Sequence, residues 1–165
     1  MSYDDRQGRD NRPYQNRDRE RPPEKALGDI FQDYLGRGYF DKDGNLFEYL
    51  IRRKQMRQLA DELSRAYPPL TSSQVRRFYN HCWAVKQALA SRDWGEVRPR
   101  FLKLDVAAAD ALGKSPPKIS KLFHDFIQEN VAAVKTDRDF VEGFLPHFEA
   151  LVGFGSGLFK EERKG

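Results

Sequence analysis

The sequence predicts an all-α protein: a compact helical bundle of about five to six helices with a disordered N-terminal tail. Three observations predict it. From about residue 45 onward, apolar residues recur at three- and four-residue spacing, the period of one helix face. Nowhere does the alternation of a half-buried strand appear. The segments between periodic stretches are short and hold Pro, Gly, Ser or Asp, which favours antiparallel neighbours. A chain of 165 residues suits one domain with a real core, and twelve phenylalanines supply the bulk to fill it.

The elements follow in order. Residues 1–25 alternate in charge, with Asn, Gln and Pro between the charges, and no aliphatic residue follows Met1 until Ala26. Nothing there offsets the entropy of ordering, so the segment reads as a disordered tail. Such a tail either only solubilises the chain or uses its arginines to touch RNA. The bundle spans 26–160, and 161–165 form a charged C-terminal tail. A short helix near Leu27–Leu35 leads into the turn residues Gly36, Gly38, Asp41, Asp43 and Gly44. A second helix, about Asn45–Tyr67, sets Tyr49, Met56, Leu59, Ala60, Leu63 and Tyr67 on one face, and Pro68-Pro69 stops it.

Thr71 is placed to cap the third helix, and Gln74 three positions later completes a capping-box pattern. That helix, about Ser72–Arg92, buries Val75, Phe78, Cys82, Val85 and Leu89. A fourth starts near Pro99, carries Phe101, Leu104, Ala108 and Leu112, and ends at Gly113. Ser115-Pro116 starts the fifth, with Ile119, Leu122, Phe123, Phe126, Ile127 and Val134 inward. Asp137 caps the sixth, whose core face is Phe140, Val141, Phe144, Phe148, Leu151 and Val152. Pro146 should kink it, and Gly153, Gly155 and Gly157 end it.

Composition excludes several classes. Apolar residues make up 39% and charged residues 33%, which describes a heavily solvated, soluble surface. No apolar run approaches the roughly 20 residues of a membrane span, and the N-terminus is polar, so a cytoplasmic location is expected. Cys82 is alone, so it forms no intramolecular disulfide and builds no zinc site by itself. A net charge of +4 permits a nucleic-acid partner without requiring one.

Candidate catalytic and metal sites fail on spacing. Asp41-Lys42-Asp43-Gly44-Asn45 begins like a calcium loop, but the sixth position is Leu46 rather than Gly and the twelfth is Arg52 rather than Glu. His124-Asp125 lacks the further ligands that a metal-dependent phosphohydrolase needs. His81 and Cys82, adjacent on a helix, point about 100° apart and cannot form a nucleophile–base pair. The Gly153–Gly157 cluster follows a helix and is no dinucleotide loop. The expectation is a chain with no catalytic residues, no metal and no cofactor.

What remains is the basic surface. On the third helix Arg76, Asn80, Trp83 and Gln87 share a stripe away from the core, with Arg77 beside it. Arg53, Lys54, Arg57 and Arg65 oppose the apolar face of the second helix. Arg98, Arg100 and Lys103 gather on the fourth, and Lys114, Lys118 and Lys121 surround the start of the fifth. Arginine, an exposable aromatic and amides suit single-stranded nucleic acid through ion pairs, stacking and hydrogen bonds. Helices are also ordinarily decorated with charge, so a protein scaffold stands beside RNA binding as an alternative. Arginines near a helix N-terminus oppose its dipole, which leans toward function.

The run Leu70-Thr71-Ser72-Ser73-Gln74-Val75-Arg76-Arg77-Phe78-Tyr79-Asn80 resembles the signature of the small subunit of type III-A CRISPR effector (Csm) complexes. Gln58-Leu59-Ala60-Asp61-Glu62-Leu63, the Val97–Lys114 stretch with its alanines, and Asp139–Val152 are similar to family helices in the same order. The resemblance covers roughly 46–159. It departs at Pro146, and at Phe154 with its glycines, where the family continues with a tyrosine and basic residues. It implies a non-catalytic subunit in antiviral defence. Several copies would stack head to tail inside a ribonucleoprotein filament, along the groove where guide RNA pairs with target RNA. The implied partners are guide RNA and target RNA, further copies of the chain, and the backbone and large subunits of the complex, with no membrane. The RNA contacts it implies are Arg76 and Arg77 first, then Asn80, Arg53, Arg57 and Arg100. Gln74 also matches the signature, and its capping role explains it equally well.

Overall fold

Apolar periodicity becomes helix wherever a cap can start it, and the caps decide the boundaries. In a computed structural model, residues 23–161 are described; of the tails expected at 1–25 and 161–165, the parts at 1–22 and 162–165 lie outside them. The helices are α1 (Leu27–Ile30), α2 (Arg53–Arg65), α3 (Ser72–Ala88), α4 (Trp94–Gly113), α5 (Lys121–Ala133) and α6 (Leu145–Gly155). A single 3-10 turn, Glu48–Leu50, precedes α2, and a π segment, Asp139–Phe144, precedes α6. Among the described residues there is no strand, only the isolated bridges Phe40–Leu46 and Thr71–Lys160. The fold is all-α, as the periodicity predicts.

α6 packs chiefly on α2, α4 lies along α5, and α3 joins the two pairs by touching both α4 and α6. The core fills with rings. Phe140, Phe144 and Phe148 recur every four residues and are fully buried. Phe101 meets Phe140 at 5.1 Å between centroids, and Phe144 stacks on Phe148 at 5.7 Å and 8°. Each such pair adds about 0.5–1.5 kcal/mol beyond the area it buries.

Several boundaries differ from the sequence reading, each for a local reason. The second helix begins at Arg53, not Asn45, because Tyr49 belongs to the 3-10 turn and Arg52 is still extended. It ends at Arg65, so Tyr67 is 53% exposed rather than inward. The third ends at Ala88, with Leu89 half-buried behind it. Asp93 starts the fourth helix well before Pro99: its carboxylate accepts from the Glu96 N–H at 2.9 Å. Pro99 then sits inside the helix on the exposed side. Ser120, not Ser115, starts the fifth, its hydroxyl accepting from the Phe123 N–H at 3.3 Å.

At the sixth, Thr136 takes the capping role expected of Asp137. The Thr136 hydroxyl accepts from the Asp139 N–H at 3.1 Å, and the Asp139 carboxylate accepts from the Thr136 N–H at 3.2 Å. The kink expected at Pro146 takes the form of the π segment. The Leu145 N–H reaches five residues back to Phe140, and Pro146 falls in the first turn of α6, where no N–H is required. Gly153 lies within α6, and Gly155 ends it. A Cβ on Gly155 would come within 2.3 Å of the Phe159 ring, so only glycine allows that close return.

One buried polar network ties the N-terminal residues to the bundle. His147, fully buried, donates from Nδ1 to the Leu50 carbonyl at 2.5 Å and accepts at Nε2 from the Tyr34 hydroxyl at 2.7 Å. The Asn130 amide donates to Tyr34 Oη and to the Phe126 carbonyl, both at 2.7 Å, and accepts from Tyr39 Oη at 2.9 Å. Burial pushes the His147 pKa down to about 4, which keeps the ring neutral and preserves this donor–acceptor pattern. Residues 23–25 also engage the bundle: Glu24 accepts from the Tyr67 N–H at 2.9 Å, and Lys25 lies 3.6 Å from Glu62.

Candidate nucleic-acid interface

The site is built on the first turns of α3. Thr71 and Gln74 form the capping box: Thr71 Oγ1 accepts from the Gln74 N–H at 3.3 Å, and Gln74 Oε1 accepts from the Thr71 N–H at 3.1 Å. Gln74 Nε2 donates to the Lys118 carbonyl at 2.6 Å, tying the start of α3 to the α4–α5 loop. Both ends of the Gln74 amide are thus engaged within the chain. Val75, Phe78, Cys82 and Val85 fill the core face. Burial pushes the Cys82 thiol up to about 12 and removes it from nucleophilic chemistry.

With those residues committed inward, Arg76, Arg77 and Asn80 are exposed. The 100° step between neighbours sends the two arginines to opposite flanks of the helix. Arg76 and Asn80 line a depression against the end of α6, beside Val152 and Ser156. Arg53 and Arg57 line the next depression, which also includes Ser156. The tail of α6 therefore brings Arg53, Arg57, Arg76 and Asn80 together, with the Arg53 guanidinium 5.1 Å from the Phe154 ring centroid. Arg77 instead faces α4 and shares a groove with His81, Lys103 and Leu104. Arg100 lies about one turn before Lys103, and its carbonyl meets His81 Nε2 at 2.7 Å, joining α4 to α3.

The electrostatics separate these groups from seven of the other basic residues. Lys25, Arg37, Arg52, Arg65, Lys114, Lys121 and Arg138 all pair with carboxylates. The Lys121 ammonium lies 2.5 Å from the Asp125 carboxylate. Burial alone would raise the Asp125 carboxyl, but hydrogen bonds from Lys121 and His124 outweigh it and lower its pKa. By contrast Arg53, Arg57, Arg76, Arg77 and Arg100 are exposed and make no ion pair among the described residues. α3 explains part of this. Its seventeen residues hold Arg76, Arg77 and Lys86 but no acid, in a chain with 25 acidic residues.

Sequence reasoning groups Arg65, Lys114 and Lys121 with the free basic residues, although the structure pairs them. The signal for pairing is local, since Asp61, Asp110 and Asp125 stand four positions away on the same helices. Two features that sequence reasoning left out of the site were also legible: Lys103 on the Arg77 groove, and the acid-free run of α3. The convergence of α2 arginines on α3 through the end of α6 has no local signature. Among the described residues no group of three or more His, Cys, Asp or Glu side chains could hold a metal ion. Nor is any helix among them long and apolar enough to cross a membrane.

Fold and surface together define a small all-helical protein with exposed, unpaired arginines on both flanks of α3. The family described as Csm2 Type III-A matches residues 51–157, well over half of the chain. The chain belongs to that family, which makes it a small subunit of a type III-A CRISPR complex. No curated protein and no solved structure matches it.

Proposed function

We propose that the chain is a non-catalytic RNA-binding subunit that stacks as a filament along the guide–target RNA duplex in the cytoplasm. Arg76, Arg77, Asn80, Arg53, Arg57 and Arg100 are the residues that meet RNA, and Gln74 holds the helix start that presents the first three. The observation that carries the reading is the acid-free helix. Arg76 and Arg77 sit on it exposed and unpaired, whereas on neighbouring helices Arg65, Lys114 and Lys121 are each held by an acid four positions away. Side chains of this kind reach phosphates and sugars, leaving sequence discrimination to base pairing.

The test is RNA retention by the assembled complex carrying Arg76→Ala with Arg77→Ala, against Arg65→Ala as a paired control. The double variant should weaken retention alike for every guide sequence. It should also flatten the dependence of log affinity on log salt by about 0.7–0.9 for each phosphate no longer neutralised. Unchanged binding at every salt concentration removes both residues from the interface.

A protein-contact reading also has an observation in its favour. On α4, Leu102 is 36% and Val106 is 67% exposed, four positions apart on one face. Leu102→Lys with Val106→Lys should block copy-to-copy assembly while leaving the RNA affinity of single copies intact. If basic substitutions leave RNA binding untouched while these two break assembly, the scaffold reading replaces the RNA one.

A further inference from the structure

The two tryptophans of this chain are used differently. Trp94 is half-buried and stacks on Phe140, 5.9 Å away and 22° from parallel, so the core accounts for it. Trp83 lies on the outer face of α3 and is 36% exposed. It is nonetheless held in place. Tyr79 stands nearly perpendicular to it at 6.2 Å, and Tyr79 in turn meets the fully buried Phe148 edge-on at 5.5 Å. A chain of rings from the core outward thus fixes an indole at the surface, and a large apolar face already immobilised loses little entropy on contact.

Its neighbours indicate what it meets. Arg76 and Asn80 precede it on the same stripe, so the guanidinium, the amide and the indole spread over about 10 Å of helix axis. The Lys86 ammonium sits 4.6 Å from the indole centroid and has no carboxylate partner among the described residues. α3 itself supplies no acid.

We propose that Trp83 is a stacking platform for an unpaired nucleobase of RNA, with Lys86 leaving the ring to meet the adjoining phosphate. The proposal rests on the RNA-binding reading and goes beyond it, because binding to duplex phosphates and sugars needs no aromatic face. Arg76, Lys86 and Asn80 along the same helix favour RNA over an apolar protein partner, while the Glu149 carboxylate lies on the Tyr79 side of the ring pair. Stacking of this kind tolerates any base, since every base has a π-face. An exposed ammonium–ring contact is the weaker interaction, so a base can displace it.

The experiment titrates the full-length chain at low salt with a single-stranded RNA oligonucleotide, and with an abasic oligonucleotide of the same length. Tryptophan emission and affinity are both read. Wild type should be quenched by the RNA and much less by the abasic strand. Trp83→Ala should bind RNA about tenfold more weakly and lose the quenching, while Trp94 remains as an internal reference. Trp83→Tyr should recover most of the affinity, and the salt slope should stay near that of wild type. If RNA binds without quenching and Trp83→Ala binds as wild type does, stacking is overturned while the arginine interface stands. If Trp83→Ala disturbs only self-association in light scattering, the ring is a protein contact and the proposal fails. Absence of binding to either strand overturns stacking, while the arginine reading is decided separately by RNA retention in the assembled complex.

Discussion

Mild acid should destabilise this fold through one residue, His147. Its imidazole is fully buried and hydrogen-bonded as the neutral tautomer, and burial lowers its pKa from the ordinary 6.5 to about 4. The unfolded chain takes up this proton near pH 6.5, whereas the folded chain resists it until about pH 4. Stability is therefore complete above pH 6.5 and is lost progressively as pH falls from 6.5 to 4. The full difference is about 3 kcal/mol, of which about 2.5 kcal/mol is gone by pH 4.5. The Asp125 carboxyl, whose pKa is lowered from 3.8, acts only below this window. Urea denaturation followed by circular dichroism at pH 7.5 and 4.5 measures the loss. His147→Phe should start less stable, by roughly 1–3 kcal/mol for each polar group left unpaired at Leu50 and Tyr34. It should then lose about 2.5 kcal/mol less than wild type between the two pH values. Equal losses in the two proteins would refute the assignment.

Three further outcomes follow from single contacts. Thr71→Ala removes the capping box of α3 and should cost about 1 kcal/mol in urea denaturation, with Thr71→Ser close to wild type; equal losses would place the effect outside the cap. Gly143→Ala would put a Cβ 2.5 Å from the buried Tyr39 ring. The overlap, about 1–3 kcal/mol, should outweigh the gain of about 1 kcal/mol from replacing glycine in a helix, so the melting temperature should fall. Cys82 has a thiol pKa pushed up to about 12 by burial. At pH 8 it should be silent to a thiol reagent in the native state and react promptly in urea; rapid native labelling would contradict its burial.

α3 was legible in the sequence because everything that makes it a helix is local. The cap at Thr71, the box at Gln74 and the stripe Val75, Phe78, Cys82 and Val85 lie within fifteen consecutive residues. The starts of α4 and α5 were misplaced because each offered two candidate initiators. A serine or aspartate bonding the N–H three residues on, Asp93 and Ser120, prevailed over Pro99 and Ser115. The His147 network was illegible for another reason. Its partners Leu50 and Tyr34 are 97 and 113 residues away in the chain, beyond any periodicity argument. For the interface, exposure could be read from helical phase, and the pairing of Arg65, Lys114 and Lys121 from the acid four positions away; the same rule fails for Arg57 and Arg100, which stay unpaired although Asp61 and Glu96 stand four positions off. The grouping of Arg53 and Arg57 with Arg76 depends on where α6 ends, and that depends on how closely Gly155 meets Phe159.

The position of Arg76 and Arg77 near a helix start supports function less than it first suggests. The macrodipole acts within the first turn, and these are the fifth and sixth residues of α3, so its penalty on them is small. Ion-pair geometry is the stronger argument. Residues three and four positions either side of Arg76 are Ser72, Ser73, Tyr79 and Asn80; for Arg77 they are Ser73, Gln74, Asn80 and His81. None is acidic, so neither arginine has a partner within the helix, and none reaches them from elsewhere among the described residues. A surface pair would contribute only about 0.2–1 kcal/mol, so its absence costs the fold little. For an anion the same absence matters more, because no ion-paired carboxylate must be displaced first; Glu161 lines the depression with Arg76 but makes no ion pair with it. In the Leu70–Asn80 run, then, Thr71 and Gln74 start the helix and Val75 and Phe78 anchor it, leaving Arg76, Arg77 and Asn80 as the exposed polar side chains that the RNA-binding proposal requires.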